Sequence, residues 1–219
     1  FGQEVIAAAP DVLVTVDLPE FSLRVARLVK ERSDIRVVHY VAPTVWAWRP
    51  GRAQKMAAHV DQVLALLPFE PPYMRAAGME CDFVGHPVVT DPVATKCEAQ
   101  AFRERHGIGE APVALLLPGS RRSEIQRLLP IFEAAAEKLR QARPDLRLVL
   151  PAAGPVASAV SEVVARWEHP PVLIDPREDQ EGAEKRAAFG AADVALAASG
   201  TVSLELAASK CRGRLPLAR

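Results

Sequence analysis

The chain lacks the features that would tie it to an oxidising compartment or to a structural metal. Its three cysteines, Cys81, Cys97 and Cys211, are odd in number and show no C-x-x-C or Cys/His spacing. That argues against a disulfide framework and a structural zinc site, and it fits a reducing cytosol. Net charge is missing too, since 27 Lys+Arg balance 27 Asp+Glu, so no nucleic-acid partner is expected. No apolar run approaches the roughly 18 to 20 residues that a membrane span requires, and no charged-then-apolar signal segment opens the chain. Any membrane contact would be peripheral. Two familiar phosphate motifs are also absent: the Walker pattern G-x-x-x-x-G-K-[ST] and the dinucleotide fingerprint G-x-G-x-x-G.

What is present is an alternation of strand-like and helix-like segments over 219 residues, enough for one large or two small domains. Strands are expected at Val12–Asp17, Arg36–Val41, Gln62–Leu67 and Cys81–Val84, with helices at Phe21–Arg32, Gly51–Val60 and Pro72–Ala77 between them. Pro87, Asp91 and Pro92 among short polar residues then mark a boundary. The pattern resumes with helices at Glu98–His106, Ser123–Gln141, Val156–Trp167 and Ala183–Phe189, and from Thr201. Strands are expected at Val113–Leu117, Leu146–Leu150, Val172–Asp175 and Val194–Ala197. The fold class is therefore α/β, with two Rossmann-like domains of parallel sheet at residues 1–90 and 98–219, joined by a linker at 91–97. The chain opens at Phe1, runs almost at once into an apolar strand, and turns basic from Lys210 where another apolar strand is called for. Both domains are accordingly expected to be incomplete parts of a longer protein.

Chemistry concentrates at strand-to-helix joints. In Val113–Ile125 a buried-strand run breaks at Pro118-Gly119 and restarts as a helix carrying Ser120, Arg121 and Arg122. Glycine admits a close anion, the first N–H groups of the helix point outward, and the arginines stand beside them. An ordinary polar βα loop has the same spacing. Arg122 is read as solvated or paired with Glu124. Ser199-Gly200-Thr201 repeats the joint on a later strand, with Glu205 one turn on, and a plain capping residue followed by an exposed glutamate reads equally well. Asp17, at the carboxyl end of a strand, is a candidate base or a helix cap. His86 in Gly85-His86-Pro87 is a catalytic candidate, although a lone histidine is more often structural. Trp46 and Trp48 are core residues by default, or an interfacial edge beside the basic Arg49, Arg52 and Lys55.

Taken together, several blocks resemble one family, the lipid-A-disaccharide synthases, inverting glycosyltransferases of the two-Rossmann-domain GT-B fold. They are Val16-Asp17-Leu18-Pro19-Glu20-Phe21, His39-Tyr40-Val41-Ala42-Pro43-Thr44-Val45-Trp46-Ala47-Trp48-Arg49, Leu66-Leu67-Pro68-Phe69-Glu70, Gly85-His86-Pro87, Leu116-Leu117-Pro118-Gly119-Ser120-Arg121 and Ser199-Gly200-Thr201-Val202-Ser203-Leu204-Glu205. The resemblance implies transfer of diacylglucosamine from UDP to diacylglucosamine 1-phosphate, with inversion and with neither metal nor cofactor. It places the base at Asp17. It assigns the UDP donor to Gly119, Ser120, Arg121, Ser199, Gly200, Thr201 and Glu205. It also implies a cytoplasmic protein peripheral on the inner-membrane surface, and it leaves homodimerisation of the intact protein open. The family usually has asparagine where Ser22 stands, and the glycine-rich acceptor loop is missing, so this chain alone is not expected to complete the reaction. Two alternatives stay open: a non-catalytic nucleotide or phosphate-binding module, and another GT-B enzyme such as a UDP-sugar epimerase.

Overall fold

The computed structural model describes residues 1–45, 51–198, 200, 202–209 and 212–214. The chain divides into two units, Phe1–Val89 and Thr90–Arg219. The break falls between Val88, which is buried, and exposed Thr90.

In the first unit, α1 (Gly2–Ala8) leads into β1 (Val12–Val16), α2 (Pro19–Lys30), β2 (Arg36–Tyr40), α3 (Gly51–Ala57), β3 (Gln62–Ala65), α4 (Pro71–Ala76) and β4 (Glu80–Phe83). The four strands lie in the order β1-β2-β3-β4, all parallel. Val37, Val63, Ala65 and Cys81 face Ala53 and Met56 of α3 and Met74 of α4 in one buried cluster. Proline opens both α2 and α4, where its missing N–H costs nothing and its fixed φ suits the first turn. The sequence pattern placed no element before the first strand, so α1 is a correction. It is a seven-residue helix packed on α2. Gly2 lies so close to Leu28 that an added Cβ would stand 3.1 Å from the leucine Cβ, and the Phe1 and Phe21 rings meet edge to face at 5.8 Å.

The second unit runs α5 (Lys96–Arg105), β5 (Val113–Leu117), α6 (Arg122–Ala142), β6 (Arg147–Pro151), α7 (Ala157–Val164), β7 (Val172–Ile174), α8 (Ala183–Ala191), β8 (Val194–Ala197), α9 (Val202–Ala208) and β9 (Arg212–Arg214). Helix α5 begins inside the stretch read as linker, because Thr95 and Glu98 close a reciprocal capping box around its first turn. The sheet order is β7-β6-β5-β8-β9, again parallel throughout. Every residue of β5 is buried, as a central strand covered on both faces requires. Val113, Leu115 and Leu117 pack with Phe102 of α5 and Ala187, Ala188 and Ala191 of α8. Ala114 and Leu116 pack on the other face with Ile125, Leu129 and Phe132 of α6 and Val160 of α7. Where the sequence showed a basic stretch instead of a further strand, Arg212–Arg214 pairs with β8 as β9.

Candidate functional site

Strand order in the second unit fixes where a ligand can sit. From β5 the chain moves outward through β6 to β7, then returns to the other side of β5 as β8. The polarity of the winding reverses between β5 and β8, and in open parallel sheets ligands occupy the crevice beyond the carboxyl ends of strands at such a reversal. Leu117 pairs with Ala197 in the last register position of these strands, and Ala198 N–H donates to Leu117 C=O at 2.8 Å. The Gly119-Ser120-Arg121 loop and the loop holding Gly200 thus leave adjacent strands side by side. Ser199 and Thr201, assigned to the same site, lie outside the described residues.

Gly119 has φ +117° and Gly200 φ +153°, conformations that a side chain resists. Gly119 is also crowded, because an added Cβ would stand 2.6 Å from Glu124 Oε2. That carboxylate accepts hydrogen bonds from Ser120 N–H at 3.0 Å and Arg121 N–H at 3.2 Å, while Arg121 Nη1 donates to its other oxygen at 2.9 Å. These bonds, the Ser120 N–H foremost and then those from Arg121, lower the Glu124 pKa against the opposing effect of desolvation. The partner of Glu124 is therefore Arg121, where the sequence had suggested Arg122. The latter lines a separate small cavity with Ile125, Gln126, Val156 and Ala159. Arg121 keeps most of its side chain in solvent, at 78% exposure, while Nη1 is engaged by Glu124.

Glu205 is half-buried, and its carboxylate forms an ion pair with Lys185 Nζ at 2.5 Å. That ammonium also lies 5.4 Å from the centre of the Phe189 ring. The carboxylate read as gripping a ribose thus has a cation of α8 as its partner in this structure.

In the first unit, Asp17 follows β1 directly and is exposed. It does not act as the α2 cap, since Leu18 holds that position and no side chain caps the helix. Asp17 and Leu18 take left-handed φ values of 46° and 44°, and Val41, just past β2, takes 84°. Three strained non-glycine residues at the carboxyl ends of two neighbouring strands fit a functional edge. The bend is pinned by Asp17 N–H donating to Tyr40 C=O at 3.0 Å and Ser22 Oγ donating to Asp17 C=O at 2.7 Å.

Behind this edge lies a polar pair that the sequence did not reveal. Thr15 and His39 are register partners on β1 and β2, and Thr15 Oγ1 meets His39 Nδ1 at 2.7 Å. His39 is buried, at 1% exposure. Burial pushes its pKa below the ordinary value, against the pull of the Asp17 charge. His86, by contrast, serves a local turn: its Nδ1 accepts from Val88 N–H at 3.1 Å. Glu70 of the Leu67-Pro68-Phe69-Glu70 block is also buried and structural, accepting from Leu67 N–H at 2.9 Å. Arg52 and Lys55 are exposed on α3 while Ala53 and Met56 face the core. Trp46, Trp48 and Arg49 lie outside the described residues.

Among the described residues, Glu137, Glu168 and His169 each bring one metal-ligating atom within 4.8 Å of the others. One Glu137 oxygen already accepts from Gln141 at 3.0 Å. The group stands near the end of α6 and before β7, at the amino end of the sheet. No helix among the described residues is long and apolar enough to cross a membrane.

Residues 2–212 match the family described as lipid-A-disaccharide synthetase. The chain is 63% identical over 211 residues to the lipid-A-disaccharide synthase of Ruegeria pomeroyi, covering 95% of this chain and 53% of that one. It is 49% identical over 208 residues to the synthase of Rhodospirillum centenum, with 94% and 50% covered. The chain thus spans about half the length of the curated relatives it matches. Among solved structures it resembles UDP-GlcNAc 2-epimerase from Neisseria meningitidis bound to UDP-GlcNAc, with TM-score 0.67, 12% identity, and 98% of this chain and 61% of that chain covered. Similar values hold for the S. aureus MnaA–UDP co-structure: TM-score 0.68, 14% identity, and 97% and 60% covered. At such identity these likenesses establish the shared GT-B fold alone. The order of sequence blocks, the two parallel sheets and the match over nearly the whole chain agree: this chain belongs to the lipid-A-disaccharide synthase family.

Proposed function

We propose that the second unit binds the diphosphate of a UDP-sugar at the β5/β8 reversal, and that the protein containing this chain transfers diacylglucosamine from UDP to diacylglucosamine 1-phosphate. The observation that carries this reading is the side-by-side exit of the Gly119 and Gly200 loops from β5 and β8, at the place where open parallel sheets receive ligands. Ser120 and Arg121 would supply backbone N–H groups and a guanidinium to the leaving UDP as the glycosidic bond breaks, with no metal required. Gly200 and the assigned Ser199 and Thr201 would complete the phosphate contacts, and Glu205 would reach the ribose after leaving Lys185.

Asp17 is the proposed base. It would take the proton of the acceptor hydroxyl as that oxygen attacks the anomeric carbon from the face opposite UDP, giving inversion. The strained and doubly pinned bend supports this role, because such a conformation persists only where its surroundings hold it. His86 is the weaker catalytic candidate, with Nδ1 already engaged by Val88. A peripheral site on the cytoplasmic face of the inner membrane belongs to the same proposal, supported by the exposed Arg52 and Lys55 of α3 and by the acyl chains of the substrates. The epimerase alternative rests on fold likeness at 12% identity, whereas the transferase reading rests on relatives at 63%.

The test is acceptor-dependent release of UDP from acylated UDP-glucosamine by the full-length protein carrying this sequence. UDP release that needs the acylated 1-phosphate acceptor supports the transferase; release independent of it, or none, refutes the proposal.

A further inference from the structure

The donors that the proposed diphosphate site needs are already in use. Ser120 N–H, Arg121 N–H and Arg121 Nη1 all point at the Glu124 carboxylate, at 3.0, 3.2 and 2.9 Å. Gly119 makes this possible, since a Cβ there would stand 2.6 Å from the carboxylate oxygen. A second anion on the same N–H groups would touch the first, and two like charges at contact distance repel strongly. The Glu124 carboxylate and a phosphate therefore exclude each other from this nest of donors.

We infer that Glu124 is a built-in competitor for the nucleotide diphosphate: phosphate oxygens displace its carboxylate from Ser120 and Arg121, and the carboxylate returns when UDP leaves. This inference rests on the proposal that the Gly119 loop holds the phosphates. Three further features fit the exchange. The bonds from Ser120 and Arg121 hold Glu124 ionised, so it mimics the anion it makes way for. The carboxylate retains access to solvent, at 27% side-chain exposure, so it has somewhere to go. Arg121 is mostly exposed and carries five N–H donors, enough to follow either anion. The consequence is a site that keeps its donors satisfied at every stage and holds UDP less tightly than its donor set alone would allow. A lowered product affinity shortens the time the site stays blocked after transfer.

A capping role alone predicts the opposite behaviour. If Glu124 merely shapes the first turn of α6, removing its charge loosens the nest and weakens the ligand. The two roles separate in calorimetric titration of UDP and of uridine into the full-length protein carrying this sequence and its Glu124→Gln and Glu124→Ala variants, each checked for folding by circular dichroism. Glu124→Gln keeps the side-chain shape, so it decides the matter if the alanine variant fails to fold. Both variants are expected to bind UDP roughly tenfold more tightly, with uridine affinity unchanged, since uridine has no phosphate to compete. Wild-type binding of UDP with unchanged or weaker binding by Glu124→Gln overturns the inference and leaves the phosphate site standing. Failure of every form to bind UDP overturns both.

Discussion

The Ser22 hydroxyl donates to the backbone carbonyl of Asp17 at 2.7 Å, from a position that is almost fully buried. It holds in place the first of two consecutive left-handed residues, Asp17 and Leu18, a pairing that costs on the order of 1 kcal/mol or more per residue. The Ser22 side chain therefore secures the bend carrying the proposed base. Ser22→Ala is expected to destabilise the chain by about 1 kcal/mol in denaturant unfolding. If Asp17 is the base proposed above, the same change in the full-length protein should lower kcat for the proposed transfer while leaving KM near wild type, because the lost bond holds Asp17 in place. A raised KM with kcat intact would assign Ser22 to substrate contact instead.

His39 makes stability depend on pH. Its folded pKa lies below the ordinary value because burial disfavours the charged ring, with the Asp17 charge pulling the other way. The unfolded chain therefore takes up the proton first. The stability contribution is complete above about pH 6.5 and is lost as pH falls below that toward the folded pKa. Urea unfolding between pH 7.5 and 5 should show declining stability, and His39→Asn, though less stable overall, should show a shallower decline. Equal slopes would remove His39 from the account.

Gly119→Ala tests the crowding of the anion loop. An alanine at φ +117° is strained by itself, and its Cβ collides with the Glu124 carboxylate, so about 1 to 3 kcal/mol of stability should be lost. The loop should open as a consequence, which amide hydrogen exchange at Ser120 and Arg121 would register as faster exchange. Unchanged exchange and unchanged stability would contradict the geometry.

Two cysteines should differ sharply in reactivity. Burial pushes the Cys81 thiol up to about 11, against the Arg75 charge that opposes it, so almost none is thiolate at neutral pH. Cys97 is exposed at the start of α5. Iodoacetamide at pH 8 followed by peptide mapping should modify Cys97 within minutes and leave Cys81 untouched until the chain unfolds.

Much of this fold is readable from side-chain periodicity. The unbroken apolar run of β5 announces a strand covered on both faces, and the alternation of strands with amphipathic helices announces the parallel sheets. Helix α1 escaped because its seven residues are too few to show a period, and what keeps it helical is contact with Leu28 and Phe21. Strand β9 escaped because Arg-Gly-Arg has no strand pattern of its own; the open edge of β8 supplies its hydrogen bonds.

The site divides in the same way. Gly119 and Gly200 stand out because a glycine between an apolar strand and a helix has a local cause. Glu124 did not, since a glutamate three residues into a helix reads as surface. The spacing from Arg121 to Glu124 is nevertheless that of an N-cap and its third helical residue, where a glutamate reaches back to backbone N–H groups. Thr15 and His39 lie 24 residues apart in sequence, and only the register of β1 against β2 brings them together.

The central claim is that the β5/β8 reversal holds the phosphates of a uridine nucleotide. Amide chemical shifts of the isotopically labelled chain, followed during titration with UDP, test it most directly. The account predicts the largest saturable changes at Gly119, Ser120, Arg121 and Gly200. Saturable shifts that leave these four amides in place and cluster at the amino end of the same sheet, around Glu137 and His169, would contradict it.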